Sequence, residues 1–563
     1  MGKYDPRTRR CESPSPLQRQ RHQRTLLGHI HFRQDLEKSQ AWPNRSHLGY
    51  NCPDQILRLS ELADVSSSSY RRFELITLKL KPMTSSSGPV SVYAANPHYL
   101  FYNGKPMILL TSDQHYGAVI NADFDYAAFL NKLESRDLNF TRIYPGAYIE
   151  RENEYVAGNN LGPLDGRQIL PWIRTTTPGA HPVLGGQKYD LDQWNDSYFS
   201  RLRDYCSKAM NLGIIVEICL FNGMYPDRWA FQAMHHANNI QGVGRCDWNM
   251  VQSLTGDPNL VLYQEKYAKE ITRRLNEFDN VTFHICDEPW MCRKSPTVFG
   301  PWVSRLTDVV RETEHSLPKK HLIGQTVDFL MSNNEADFSA DPRIQYIDVE
   351  YSRGIHDLEN EYDHDKPIVY IESVYYPDMY LGDKIADTRV EVWEFMISGA
   401  AGFMQLNGLY STMNAAANGT EINDLLDVFV ELRKFLEGFN LFTMRRDGSF
   451  IVKVPSDAFA SAISDLGRQY AFYVHHSTCH DPFHAVPERA STRSPRLHSF
   501  EVTHGSYHET FTFRFPEGHY EAEWIDPAKG SVLRHDSFLH SGGDRTFTAP
   551  EYSVDLALRM LAT

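Results

Sequence analysis

From Val90 to about residue 435, short apolar runs alternate with longer amphipathic stretches. The apolar runs are 107–111, Leu138–Tyr144, Gly213–Phe221, Val281–Cys286, His321–Val327, Ile344–Val349, Ile368–Ile371 and Phe395–Leu406. Between them lie helix-period segments at Asp125–Arg136, Asp196–Met210, Asn259–Glu277, Pro301–Glu314 and Thr388–Ile397, with a last one at Asp424–Phe435. In the first, Phe129, Leu130 and Leu133 share one face. Short strands that are apolar throughout are buried on both faces, which means a parallel sheet covered by helices. Eight such units predict an α/β fold, a (β/α)8 TIM barrel.

The barrel is entered through a hairpin. Tyr99-Leu-Phe-Tyr and Lys105-Pro-Met-Ile-Leu-Leu110 flank Asn103-Gly104, a strong signal for a two-residue turn. Two connections are long: Tyr148–Asn195 and Asn222–Asp257, the second with Trp229, His235, His236 and Trp248. Loops of this length are usually functional or disordered. Both follow the C-terminal ends of strands, so they are expected to wall a substrate groove.

Beyond residue 440 the texture changes. Runs such as Phe450-Ile-Val-Lys-Val, Gln469-Tyr-Ala-Phe-Tyr-Val and Thr510-Phe-Thr-Phe-Arg-Phe alternate with period two, and turn signals recur at Pro516-Glu-Gly518, Pro527-Ala-Lys-Gly530 and Ser541-Gly-Gly543. This predicts a C-terminal antiparallel β-sandwich over 438–563, after a barrel domain over 83–437. Residues 1–82 show little periodicity and much Arg, Gln, Ser and Pro, including Gln18-Arg-Gln-Arg-His-Gln-Arg24. They read as a disordered extension, or as sequence upstream of a start at Met83, rather than as a nucleic-acid or targeting arm.

Charge sharpens that division. Residues 1–82 carry 15 Lys and Arg against 8 Asp and Glu, while the remainder carries 42 against 63. The net charge of −14 argues against nucleic acid as a partner. No apolar run is long enough for a membrane span, and no signal-peptide core is visible, so a cytoplasmic location is expected. The eight cysteines form no Cys-x-x-Cys pair and no zinc-like spacing with histidine, so a reduced, disulfide-free and metal-free protein is expected. His235-His236 lacks a carboxylate at helical spacing, and no His-x-His closes the first strand. Oligomeric state is not legible.

The chemistry sits at two strand ends. Val281-Thr-Phe-His-Ile-Cys286 runs into Asp287-Glu288-Pro289-Trp290, and Pro367-Ile-Val-Tyr-Ile371 runs into Glu372. The two glutamates are 84 residues apart. At about 31 residues per barrel unit that is three units, hence strands four and seven. Paired carboxylates at a barrel rim are what a retaining glycosidase uses: one acid protonates the leaving oxygen, and the other carboxylate attacks the anomeric carbon. Glu288 is the expected acid/base and Glu372 the expected nucleophile. The plainer alternative is a pair of rim salt-bridge residues.

On these residues the segment 95–435 resembles the clan A glycoside hydrolase barrels, and more closely a bacterial group of cellulase-like glycosyl hydrolases. The shared features are His115–Asn121 (His-Tyr-Gly-Ala-Val-Ile-Asn), Asp123-Phe-Asp-Tyr126, Asp287-Glu-Pro-Trp290 and Ile371-Glu-Ser373. The resemblance implies cleavage of β-linked glycosides in an oligosaccharide or polysaccharide, without a cofactor. One departure stands out: Asp287 occupies the place of an asparagine that bonds the sugar 2-hydroxyl. An aspartate accepts that bond but cannot donate it, and its charge raises the pKa of Glu288.

The resemblance also places an arginine, here Arg142 at the end of strand two, against the nucleophile, where it would keep Glu372 ionised. Strand-end position adds His115, Tyr116, Asn222, Tyr351, Gln405 and Asn407 as candidate sugar contacts, with Tyr351 orienting the nucleophile. Trp290 and Trp393 are candidates for stacking on a sugar face, with a core position the plainer reading of Trp393. Two other functions share the fold: a sugar-binding protein without catalysis, which Asp287 favours, and a metal-dependent hydrolase.

Overall fold

The computed structural model describes residues 88–289, 296–327, 338–352, 354–376, 382–479 and 500–563. The basic head, Trp290 and Cys292 lie outside these residues.

Eight parallel strands form the barrel: β1 (Leu109–Asp113), β2 (Phe140–Ile143), β3 (Ile215–Asn222), β4 (Val281–Asp287), β5 (Ile323–Thr326), β6 (Tyr346–Glu350), β7 (Ile368–Tyr375) and β8 (Gly402–Asn407). Their order around the sheet is β1-β8-β7-β6-β5-β4-β3-β2. The β1–β2 seam carries no regular ladder, and side chains close it. Asn139 N–H donates to Leu110 O, its Oδ1 accepts from Leu110 N at 3.0 Å, and its Nδ2 donates to Ile108 O at 2.8 Å. Higher up, Asp113 accepts from Arg142 N, and Gln114 Nε2 donates to Arg142 O at 2.7 Å.

The covering helices are α1 (Tyr126–Glu134), α2 (Asp196–Asn211), α3 (Pro258–Leu275), α4 (Pro296–His315), α5 (His356–Glu361), α6 (Lys384–Ile397) and α7 (Thr420–Glu437). Asp125, Asn195 and Asp257 cap α1, α2 and α3 by accepting from first-turn amides, and Pro258 starts α3 where its missing N–H costs nothing. The short α5 carries too few periodic residues to be seen in the sequence. One expected strand is corrected: Phe395–Ala401 is not part of β8. Phe395 and Ile397 belong to α6, Gly399 turns the chain with φ +100°, and the strand starts at Gly402. Apolar residues on a buried helix face are indistinguishable by hydropathy from a strand.

Asn103 and Gly104 both have positive φ (50° and 77°), the signature of the expected two-residue hairpin turn. The first long loop contains a second hairpin, Trp172–Pro178 with Gln187–Trp194. The two long loops are tied together by Gln232, whose side chain bonds both N–H and C=O of Ile149, and by a bridge between Tyr189 and Asn239.

The C-terminal unit is one seven-stranded antiparallel sheet that curls into a sandwich-like layer: β9 (Arg445–Arg446), β10 (Ile451–Lys453), β11 (Phe459–Asp465), β12 (Gln469–His475), β13 (Thr510–Asp526), β14 (Ser531–Thr548) and β15 (Asp555–Ala562). Alternation sorts its faces. Tyr470, Phe472, Val474, Leu556, Leu558 and Met560 fill the unit's own core, whereas Ala471, Tyr473 and Ala557 join the barrel core. Trp393 of α6 packs there, its ring centre 5.6 Å from that of Tyr473 in a tilted pair, so it is a core residue and not a sugar platform. Beside it Arg389 forms a buried two-pronged ion pair with Asp555, which also accepts from Tyr473. No helix among the described residues is long and apolar enough to cross a membrane. Cys206, Cys219, Cys246 and Cys286 are free thiols.

Candidate active site

Strand register carries charged residues into the barrel mouth. Arg142 on β2 faces Glu217 on β3, and Asp287 ends β4; Glu372 lies inside β7, which runs on to Tyr375, rather than at the strand end expected from the sequence. The Arg142 guanidinium is fully buried: Nε lies 2.8 Å from Glu217, Nη1 2.9 Å from Asp287, and Nη2 2.6 Å from Nδ1 of His284. Its Nη1 is 3.9 Å from Glu372. Arg142 therefore belongs chiefly to Glu217 and Asp287, with Glu372 its third partner. Burial, the largest single effect, would raise Asp287 and Glu217, but Arg142 and His284, with a tyrosine hydroxyl on each (Tyr144 and Tyr346), together hold both below the usual carboxylate range.

Three site residues sit in the left-handed backbone region at strand ends: Tyr116 (φ 53°), Glu288 (φ 44°) and Tyr351 (φ 49°). Such conformations cost about 1–3 kcal/mol each, and they persist where the surroundings impose them. Here they turn three side chains toward one point. Tyr116 donates to Glu372 Oε2 at 3.0 Å. The Tyr351 hydroxyl bonds Glu372 Oε1 and stands 3.5 Å from Glu288 Oε1. Tyr225, from the second long loop, donates to Glu288 Oε2 at 2.5 Å, and the Asn222 side chain bonds Glu288 as well.

Glu288 and Glu372 keep 7% and 6% of their surface, so both are desolvated yet reachable. Burial, then the charge of Asp287, pushes Glu288 up to about 7. Burial, Asp287 and Glu288 push Glu372 up as well. The two carboxyls are coupled, so ionising one makes ionising the other harder. Two phenol donors and the nearby guanidinium favour the charge on Glu372.

The other expected contacts divide. His115 is at the rim, with Nε2 3.3 Å from Glu150 and Nδ1 3.0 Å from the Tyr376 hydroxyl. Asp287 lies beneath Glu288 with no exposed surface; its Oδ2 accepts from Arg142 and Tyr144. Gln405 and Asn407 are not in the site. Gln405 bonds Thr388 of α6 and Ser112, and Asn407 bonds Ser112. They occupy the strand parity that faces the helices, so being at a strand end was not sufficient. Trp290 falls outside the described residues.

Sequence reasoning missed several members. Glu217, His284, Asp348 and Glu350 are ionisable groups embedded in apolar strands, a visible signal, since such residues are rarely buried without a partner. Tyr144 and Tyr225 carried none. Arg228 was also missed; its guanidinium lies 4.0 Å from the Tyr225 ring centre and 3.0 Å from Glu154. Burial would raise nearby Glu150, but His115 and Arg228 hold it low.

Two buried groups, Glu217 with His284 and Asp348, and Asp287 with Glu350 and Glu372, bring ligand-type atoms within 4.8 Å of one another. In both, Arg142 already fills the cationic position, at 2.8 Å from Glu217 and 2.9 Å from Asp287, so neither fits a metal.

No protein-family model and no curated protein matches the chain. Solved structures do. A Bacteroides vulgatus protein taken for a glycoside hydrolase aligns with 84% of this chain and 82% of its own, at 13% identity and TM-score 0.55. A family 5 glycoside hydrolase of Bacteroides vulgatus aligns over 84% and 94%, at 12% identity and TM-score 0.53. A third, described simply as a glycoside hydrolase, gives 84% and 97%, 12% and 0.53. The fold is that of glycoside hydrolase barrels with a C-terminal β domain. At these identities the likeness speaks to fold, and the chemistry rests on the residues.

Proposed function

We propose that this protein is a retaining glycoside hydrolase that cleaves β-linked glycosides of an oligosaccharide or polysaccharide by double displacement. The observation that carries the proposal is the Tyr351 hydroxyl in contact with both Glu288 and Glu372. One hydroxyl spanning two carboxyls keeps their facing oxygens within roughly 6 Å, which suits the ~5–5.5 Å of retaining enzymes better than the ~6.5–9.5 Å that leaves room for a water.

In the first step Glu372 attacks the anomeric carbon while Glu288 gives its proton to the leaving oxygen. In the second, Glu288 takes a proton from water, the water oxygen bonds the anomeric carbon, and Glu372 departs as a carboxylate. A pKa of about 7 suits a group that must both give and take a proton near neutrality. The names of the structurally similar Bacteroides proteins support the glycoside hydrolase part of this reading.

The test is a screen of aryl β-glycosides (glucoside, galactoside, mannoside, xyloside, arabinofuranoside) with wild type, Glu372→Ala and Glu288→Ala. Wild type cleaves at least one, and azide restores turnover to Glu372→Ala, giving a glycosyl azide of inverted configuration. Activity that survives in Glu372→Ala without azide refutes the nucleophile. Activity lost on adding chelator favours a metal-dependent hydrolase, and silence on every glycoside favours a non-catalytic sugar binder.

A further inference from the structure

One acid has no part in this mechanism. Glu350 ends β6, immediately before Tyr351, and is 2% exposed. Its Oε1 accepts from Thr326 Oγ1 at 2.7 Å, and that hydroxyl also lies 3.0 Å from Nε2 of His284. Its Oε2 and the Oδ1 of Asp287 are both buried, and neither receives a donor from any other described residue. One oxygen of each acid lies within 4.8 Å of the other, close enough that their interaction lowers Asp287 and raises Glu350. Two carboxyl oxygens bond only through a proton.

Which side holds it follows from the remaining contacts. The other Asp287 oxygen accepts from the Arg142 guanidinium and the Tyr144 hydroxyl, which favours the anion. The other Glu350 oxygen has only a neutral hydroxyl. Glu372 belongs to the same cluster, with one oxygen of each acid within 4.8 Å of the others. Three carboxylates around one guanidinium do not all ionise.

We propose that Glu350 is a positioning residue that remains a neutral acid in the working protein, its Oε2–H donating to Asp287 Oδ1, so that Asp287 is fixed beneath Glu288 and the remaining negative charge falls on Glu372. The consequence for Glu372 rests on its reading as nucleophile; the shared proton does not. The arrangement also accounts for an aspartate before Glu288: an acid partner supplies the proton that lets Asp287 sit beside two other carboxyls.

The test uses the full chain near neutral pH. An infrared difference spectrum, wild type minus Glu350→Gln, is expected to show one carboxylic-acid C=O band that shifts in deuterium oxide. In Asp287→Asn the new amide donates to Glu350, which then no longer needs its proton, so the same band disappears. The absence of the band from the first difference, or its persistence in Asp287→Asn, overturns the proposal. If Glu350→Gln does not fold, the Asp287→Asn spectrum decides alone. In kinetics, Glu350→Ala lowers kcat roughly tenfold or more with KM little changed, as for a lost buried hydrogen bond. Glu350→Gln, which can still donate to Asp287 and accept from Thr326, recovers most of that loss. Equal losses in the two variants overturn the positioning role. Should wild type cleave no glycoside, the infrared result still decides the proton while the hydrolase reading fails.

Discussion

Removing one hydroxyl gives the sharpest check on Glu288. Tyr225 donates to Glu288 Oε2 at 2.5 Å, and a donor of this kind stabilises the carboxylate over the acid. It therefore holds the Glu288 pKa down, against the burial and the Asp287 charge that lift it to about 7. A hydrogen bond to a charged group contributes about 1.5–3 kcal/mol. Tyr225 is only partly buried, so the lower figure applies, and about 1.4 kcal/mol corresponds to one pH unit. Tyr225→Phe should thus raise the Glu288 pKa by about one unit. The acid form is the one that protonates the leaving group, so activity falls as pH rises through this pKa. The alkaline limb of kcat/KM, which reports the free enzyme, should move from near pH 7 to roughly pH 8. The assay is a pH profile on a glycoside with a poor leaving group, where protonation limits the rate. A limb that stays in place, or moves to lower pH, refutes the assignment of Glu288 as the acid held by Tyr225.

Two further outcomes test the scaffold. Arg389→Ala leaves Asp555 buried without its cation and should cost about 3–5 kcal/mol in urea unfolding, with the sheet separating from α6; the double variant Arg389→Met, Asp555→Leu should recover much of the loss. Asn139→Leu removes the Asn139 side-chain bonds to Leu110 and Ile108 at the β1–β2 seam, and at about 1 kcal/mol each should lower stability by about 2 kcal/mol in the same assay.

Much of the fold was legible because its cause is local. Buried parallel strands are mostly apolar on both faces, and Ile215–Phe221 and Val281–Cys286 show this despite Glu217 and His284. Asn103-Gly104 announces its turn for a reason confined to two residues. The same logic failed at Phe395–Ala401, where a buried helix face and a strand look alike. It failed again at Gln405 and Asn407, where the strand end was right and the parity was not.

The sequence by itself determined a barrel of eight strands and helices, an all-β unit after it, and two glutamates on the fourth and seventh units, although Glu372 lies inside β7 and not at its end. These depend on pattern and spacing along the chain. Only the tertiary structure decided that Tyr351 touches both glutamates and that Tyr225, from a loop 63 residues away, bonds Glu288. It alone decided that Arg142 is divided among Glu217, Asp287 and Glu372. The proton state of the site follows from those contacts, because burial and Coulomb interaction depend on distances through space that no local pattern encodes.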